Sequence, residues 1–213
     1  MARILITSGP TRQYLDPVRY LSNASSGRMG AALAAAAIDA GHDVIVVSGP
    51  VEVGYPSAVQ VISVVSTEDM LAACQREFPQ CAGLIGVAAP CDYRPVKVAA
   101  EKIHRSGAPL MLELHETPDI VATLAAGKRA DQWVVGFALE TEDHRFRAIT
   151  KLEKKSCDLI VLNSAAAIGA EENTVEVLDR TGSIAVAASG SKDEVARAVF
   201  GVIAERLIAR VAH

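Results

Sequence analysis

The chain has 213 residues and 22.4 kDa, 50% hydrophobic, 22% charged and 4% aromatic, with 15 Gly and 9 Pro; this is globular composition with an Ala/Val-rich interior, not that of a disordered or collagen-like chain. Lys and Arg number 21 against 25 Asp and Glu, a formal net charge of −4 with a pI near 5.7, which gives no electrostatic footprint for a nucleic-acid binder. No apolar run reaches the ~20 residues that cross a bilayer.

In chain order, residues 3–8 are a short apolar run stopped by Gly9-Pro10, a buried strand and its turn. Polar Thr7-Ser8 ends this run too early for the apolar segment of a signal peptide. Residues 11–26 read as a polar loop with Pro17. Residues 27–40 read as a helix, with Ser25 or Ser26 as N-cap and Gly41 at its end. Residues 43–48 and 59–65 are strands, and Thr67 caps a helix running to about Phe78. A further apolar strand at 84–88 precedes a loop over 90–108. Next come a strand at 111–115, a helix at 118–126 opened by Pro118, and a strand at 133–138. A charged helix at 143–155 leads to a strand at 159–163. Residues 174–179 and 183–188 make a hairpin around Arg180-Thr181-Gly182, and residues 192 to about 211 form a closing amphipathic helix.

Apolar strands regularly separated by helices imply a parallel sheet covered on both faces. The expected fold is one doubly wound, Rossmann-like α/β/α three-layer domain over residues 1–213, mostly parallel with a C-terminal β-hairpin. The four cysteines (Cys74, Cys81, Cys91, Cys157) form no CxxC pair, so reduced thiols and a cytoplasmic location are expected. The five histidines lack metal-ligand spacing.

In such a fold the ligand crevice lies at the carboxyl ends of the strands, so the loops after Ser8, Ala88, Ala138 and Asn163 are the informative ones. The first resists a dinucleotide fingerprint. A long insertion separates Gly9 from Gly27 and Gly30, and the second strand ends Val46-Val47-Ser48 without an acid. No P-loop occurs either. A phosphate can sit around Ser25, Ser26, Gly27 and Gly30 at a helix N-terminus; a plain capped helix with glycines for close packing accounts for the same residues.

Arg19 can clamp a carboxylate or phosphate, and Asn23 can donate to a developing oxyanion; both can equally serve their own loop. Asp92 can accept from a base or ribose, or hold Mg²⁺ through phosphates, unless it only closes an Asx-turn. Lys102, within Glu101-Lys102-Ile103-His104-Arg105, can neutralise a departing group or belong to a solvated charge run. Lys151 and Lys155, four apart, share a helix face that suits a triphosphate or simply solvent. Cys91 has no supporting histidine and reads as a small buried residue.

Taken together, Ile6-Thr7-Ser8-Gly9-Pro10-Thr11-Arg12, Leu15-Asp16-Pro17-Val18-Arg19-Tyr20-Leu21-Ser22-Asn23 and Ser25-Ser26-Gly27-Arg28-Met29-Gly30 strongly resemble the N-terminal signature of the phosphopantothenoylcysteine synthetase family. This is the ligase part of the bifunctional bacterial coenzyme A biosynthesis flavoprotein. The match runs on through Val47-Ser48-Gly49-Pro50, Asp92-Tyr93-Arg94, Glu101-Lys102-Ile103, Pro118-Asp119-Ile120-Val121, Gly136-Phe137-Ala138, Glu140-Thr141 and Asp158-Leu159-Ile160-Val161-Leu162-Asn163.

The resemblance implies a two-step ligation. The carboxylate of 4′-phosphopantothenate attacks the α-phosphate of CTP, with Mg²⁺, giving an acyl-cytidylate and pyrophosphate; the L-cysteine amine then displaces CMP. It further implies that Asn23 holds the acyl intermediate, Arg19 supports it, and Lys102 serves cytidylate formation from a flexible loop. By the same resemblance Gly86, Asp92, Lys102, Pro118, Asp119, Ile120, Val121, Phe137, Lys151 and Lys155 bind nucleotide, and the protein is a homodimer. Departures are His104 and Arg105 after the lysine, Thr117 before Pro118, and Pro90-Cys91 before Asp92; the last two touch the expected base pocket. The chain opens at the ligase signature with no flavin-binding half, so a stand-alone ligase or an excised domain is expected, with a flavin-dependent phosphopantothenoylcysteine decarboxylase domain or protein as a partner and no flavin of its own. The competing readings are an NAD(P)-dependent oxidoreductase and a non-catalytic nucleotide-binding subunit.

Overall fold

The computed structural model describes residues 1–140, 144–164 and 172–209. Six strands run parallel: β1 (Arg3–Ser8), β4 (Asp43–Ser48), β5 (Gln60–Ser63), β6 (Gly83–Gly86), β9 (Trp133–Glu140) and β10 (Leu159–Ser164). The antiparallel hairpin β11 (Glu172–Asp179) and β12 (Ile184–Ser191) extends the edge beyond β10, giving the order β12-β11-β10-β9-β6-β1-β4-β5. This is the expected mostly parallel α/β sheet with its C-terminal hairpin.

The two-residue period of the strands divides the core in two. Ile4, Ile6, Val44 and Val46 pack beneath α1 (Arg28–Asp39) and α5 (Lys192–Ile203). Leu5, Ile45, Val47 and Leu84 face the other way, against α2 (Thr67–Glu77), α3 (Ile120–Ala126) and α4 (His144–Lys154). Two faces covered by helices explain why these strands read as unbroken apolar runs. No helix among the described residues is long and apolar enough to cross a membrane.

Several local expectations are corrected. The polar stretch 11–26 contains a hairpin, β2 (Arg12–Asp16) and β3 (Arg19–Ser22), paired only with each other. It shows no apolar alternation because its stability comes from turn and ring contacts instead. The Asp16 carboxylate accepts from the Val18 and Arg19 amides at 2.8 and 2.9 Å, and Arg12 stacks 4.5 Å over the Tyr20 ring. The expected loop 90–108 includes β7 (Tyr93–Pro95), whose partner is β8 (Leu114–Glu116), later than the predicted 111–115. This pair also stands outside the main sheet.

Helix starts differ too. The N-cap of α1 is Gly27, at φ 75°, with no side-chain cap, rather than Ser25 or Ser26. A Cβ there would lie 2.9 Å from Val51 Cγ1, so the left-handed turn and the close approach both require glycine. Ser66, not Thr67, caps α2, in a reciprocal box with Asp69; the Thr67 hydroxyl is buried and used elsewhere. Pro118 precedes the Asp119 cap of α3 rather than opening the helix. The last helix passes into a π-helical turn at Ala204–Ile208; the predicted end near 211 lies outside the described residues.

Candidate active site

In the order β5-β4-β1-β6-β9-β10 the chain winds one way from β1 and then the other, so the crevice of a doubly wound sheet falls between β1 and β6. The loops leaving these two strands are joined there. The Ala89 amide donates to the Gly9 carbonyl at 2.9 Å and Pro10 bridges Ala89 in parallel register. Thr11 Oγ1 accepts from the Cys91 amide at 2.7 Å, and Thr67 Oγ1 donates to the Cys91 carbonyl at 3.0 Å. The two hydroxyls share the remaining bond at 2.8 Å. Cys91 is buried, as expected for a packing residue.

The start of α1 forms one wall of this crevice. Gly30 allows the helix to rest on the tip of β1, where Ser8 Oγ donates to the Gly27 carbonyl and Tyr55 donates to Ser8 Oγ at 2.9 Å. Ser25, Ser26, Gly27 and Gly30 line the opening, opposite Ala88 and Phe137. The expected anion-binding residues and Phe137 are therefore brought together.

Gly86 lies at the end of β6 beside Val121, since a Cβ on it would come 2.5 Å from Val121 Cγ2. Its register partner is Gly136, next to Phe137. Asp119 caps α3 through a 3.0 Å bond from the Ala122 amide and pairs with Lys155 at 3.0 Å. Lys155 is one residue past α4, its amide still bonded to the Lys151 carbonyl, so the two lysines keep helical spacing. Pro118 is exposed and Ile120 is buried in the core of the same face.

Asn23 follows β3 directly. Its Nδ2 donates to the Pro90 carbonyl at 2.8 Å and more weakly to Ala89 at 3.4 Å, tying the hairpin to the loop after β6. Arg19 is partly exposed, and its Nη1 pairs with the buried Asp16 and donates to the Ile103 carbonyl at 3.1 Å, while among the described residues its Nε and Nη2 have no partner. The Asp16 carboxyl is moved from its ordinary 3.8 to about 2; burial opposes this, and the Val18 and Ile103 amides and the Arg19 guanidinium overcome it. Lys102 and Asp92 are exposed, and among the described residues nothing pairs with either side chain. Asp92 therefore closes no Asx-turn.

Four crevice residues carried no assigned role in the sequence reading. Arg28 and Lys192, the latter the first residue of α5, both line it, and neither forms an ion pair among the described residues. Burial and the Arg28 charge lower the Lys192 pKa. Asn163 and Asn173 face each other at 3.4 Å, and the buried Asn173 Oδ1 has no partner. A lysine at a strand-to-helix junction was the one signal available for Lys192. Among the described residues no three His, Cys, Asp or Glu side chains gather into a metal site.

Residues 1–207 match the model of the DNA/pantothenate metabolism flavoprotein C-terminal domain. The coenzyme A biosynthesis bifunctional protein CoaBC of Vibrio cholerae is 41% identical over 211 residues, covering 96% of this chain and 53% of that protein. The Escherichia coli CoaBC is 45% identical over 166 residues, 76% of this chain and 41% of the relative. The chain thus spans about half the length of the curated relatives it matches. The crystal structure of the C-terminal domain of a CoaBC superposes with a TM-score of 0.83 at 35% identity, over 98% of this chain and 96% of the other. A Cab2 variant in complex with phosphopantothenate-cysteine shares the fold, at TM-score 0.80 and 17% identity, over 100% and 89%. With residues 1–207 matched, nearly its whole length, this chain belongs to the family of the DNA/pantothenate metabolism flavoprotein C-terminal domain.

Proposed function

We propose that residues 1–213 act as one phosphopantothenate–cysteine ligase domain, joining 4′-phosphopantothenate to L-cysteine through an acyl-cytidylate. The observation that carries this reading is the crevice at the β1/β6 switch point. The free amides of α1 and two cations without acidic partners, Arg28 and Lys192, converge there beside the loop that Asn23 holds. A helix N-terminus with flanking cations suits a polyphosphate.

In the first step the substrate carboxylate attacks the α-phosphate of CTP and pyrophosphate leaves. Lys102 neutralises charge on the departing group, and Lys151 and Lys155 serve the same anion from α4 and its end. In the second step the cysteine amine attacks the acyl carbon, its proton is lost and CMP leaves. In this reading Asn23 stabilises the intermediate through Nδ2, whose long 3.4 Å contact to the Ala89 carbonyl is the one an incoming oxygen can replace. Gly86, Val121 and Phe137 shape the nucleotide pocket, with Pro118, Asp119, Ile120 and Asp92 at its margin. In this reading Mg²⁺ is held mainly by the nucleotide phosphates.

A homodimer belongs to this reading. Tyr14 and Tyr20 on one small sheet with Val18 in its turn, and Tyr93 and Leu114 on the other, are exposed apolar side chains, of the kind that a second subunit covers. So do a flavin-dependent decarboxylase domain or protein as partner and a cytoplasmic location, in keeping with four free, buried cysteines. The test is incubation with 4′-phosphopantothenate, cysteine and each nucleoside triphosphate in Mg²⁺, following pyrophosphate. Release with CTP alone supports the reading; folded protein that releases none with any triphosphate overturns it.

A further inference from the structure

Asp16 has no exposed surface, yet it stays ionised at the base of the β2–β3 turn. A buried carboxylate is costly unless its lone pairs are filled. Here they are: Oδ1 accepts from the Val18 and Arg19 amides, while Oδ2 accepts from the Ile103 amide at 3.1 Å and pairs with the Arg19 guanidinium. The same Arg19 nitrogen donates to the Ile103 carbonyl at 3.1 Å. One residue, Ile103, 84 positions from Arg19 in sequence, is thus gripped at both its backbone polar atoms. A second tie, from the Ala99 amide to the Leu15 carbonyl at 2.9 Å, holds the same loop to β2.

The turn alone would need only one acceptor oxygen, which asparagine also provides. The second oxygen, and hence the charge, is used on Ile103. With four donors around it, Asp16 has no capacity left for a ligand. Lys102 immediately precedes the gripped residue, and Asn23 lies four residues beyond Arg19, within about 14 Å along extended chain.

We infer that Asp16 is a positioning residue: with Arg19 it clamps the backbone amide and carbonyl of Ile103 and so sets where Lys102 stands relative to Asn23. This rests on the reading of Lys102 given above. In Asp16→Asn the amide NH₂ replaces one acceptor and meets the donors of Ile103 or Arg19, which breaks the clamp while largely preserving shape.

The experiment combines hydrogen exchange over residues 100–106 with the rate of pyrophosphate release. In Asp16→Asn the Ile103 amide is expected to exchange at least about tenfold faster than in the wild type, with β1 and β4 unchanged. Pyrophosphate release is expected to fall about tenfold, and adding Lys102→Ala to lower it little further, because the two substitutions disable one function. Arg19→Met leaves both backbone bonds to Asp16 Oδ1 in place and carries the same exchange expectation should Asp16→Asn not fold. Unchanged Ile103 exchange in a folded variant, or strictly additive losses with Lys102→Ala, overturns the clamp. Wild-type release by Lys102→Ala alone overturns instead the functional reading on which it rests.

Discussion

Gly30 and Ser8 approach so closely that a Cβ on Gly30 would lie 2.1 Å from Ser8 Oγ and 2.6 Å from Ser8 Cβ. The first turn of α1 therefore rests directly on the tip of β1, and that contact sets where its free amides point. Gly30→Ala is expected to cost about 1–3 kcal/mol through overpacking, read as a lower denaturant midpoint. It should also weaken the proposed CTP binding, read by calorimetry, because relief of the clash moves the helix terminus.

Arg28 and Lys192 flank the same terminus without acidic partners among the described residues. Replacing either by Met should leave stability within about 0.5 kcal/mol, as for other side chains without native partners. CTP affinity should fall about tenfold for each, in line with the loss of a charge-assisted hydrogen bond. Titration at rising salt adds a check: the variants should show a shallower salt dependence than the wild type.

Asp119 has two duties that substitution can separate. It caps α3 and pairs with Lys155. Asp119→Ala should cost about 1 kcal/mol of stability from the cap alone. Lys155→Met keeps the cap and loses only a partly exposed ion pair worth about 0–1 kcal/mol; its main effect should be a raised KM for CTP. Thermal unfolding and steady-state kinetics on both variants distinguish the two duties.

The acid limb of stability should carry a signature of Asp16. Its folded pKa of about 2 lies below the ordinary 3.8, so the unfolded chain binds the proton first as pH falls. The contribution is complete above pH 4 and is lost between about 4 and 2. Other carboxylates, including Asp69, Glu176 and Asp179, are also lowered by their hydrogen-bond partners. The informative quantity is thus the gap in unfolding free energy between wild type and Asp16→Asn. That gap should be constant above pH 4 and narrow below it; a gap independent of pH down to 2 contradicts the assignment.

The sheet was legible because burial on both faces leaves its mark in every strand: Ile4, Leu5 and Ile6 are all apolar although they enter two different cores. The signature segments 6–12 and 15–30 likewise carried the family in their own order. Polar hairpins were harder. In β2 and β3 the stabilising partners are a turn carboxylate and stacked side chains, and nothing in the residue pattern distinguishes these from a loop. The α1 cap is Gly27 rather than the expected serine, the commoner cap, and only the neighbouring Val51 reveals that Gly27 must turn left-handed.

Sequence by itself determined the layer architecture and the residue types available to the crevice, since both follow from local periodicity and composition. Tertiary structure alone decided that Arg19 turns its Nη1 to Asp16 and Ile103, that Asn23 binds the carbonyls of residues 89 and 90, and that Lys192 comes to the mouth of α1. The Arg19–Ile103 and Asn23–Pro90 bonds join residues more than sixty positions apart, where no local rule reaches and only the closing of the sheet brings the partners within hydrogen-bond distance.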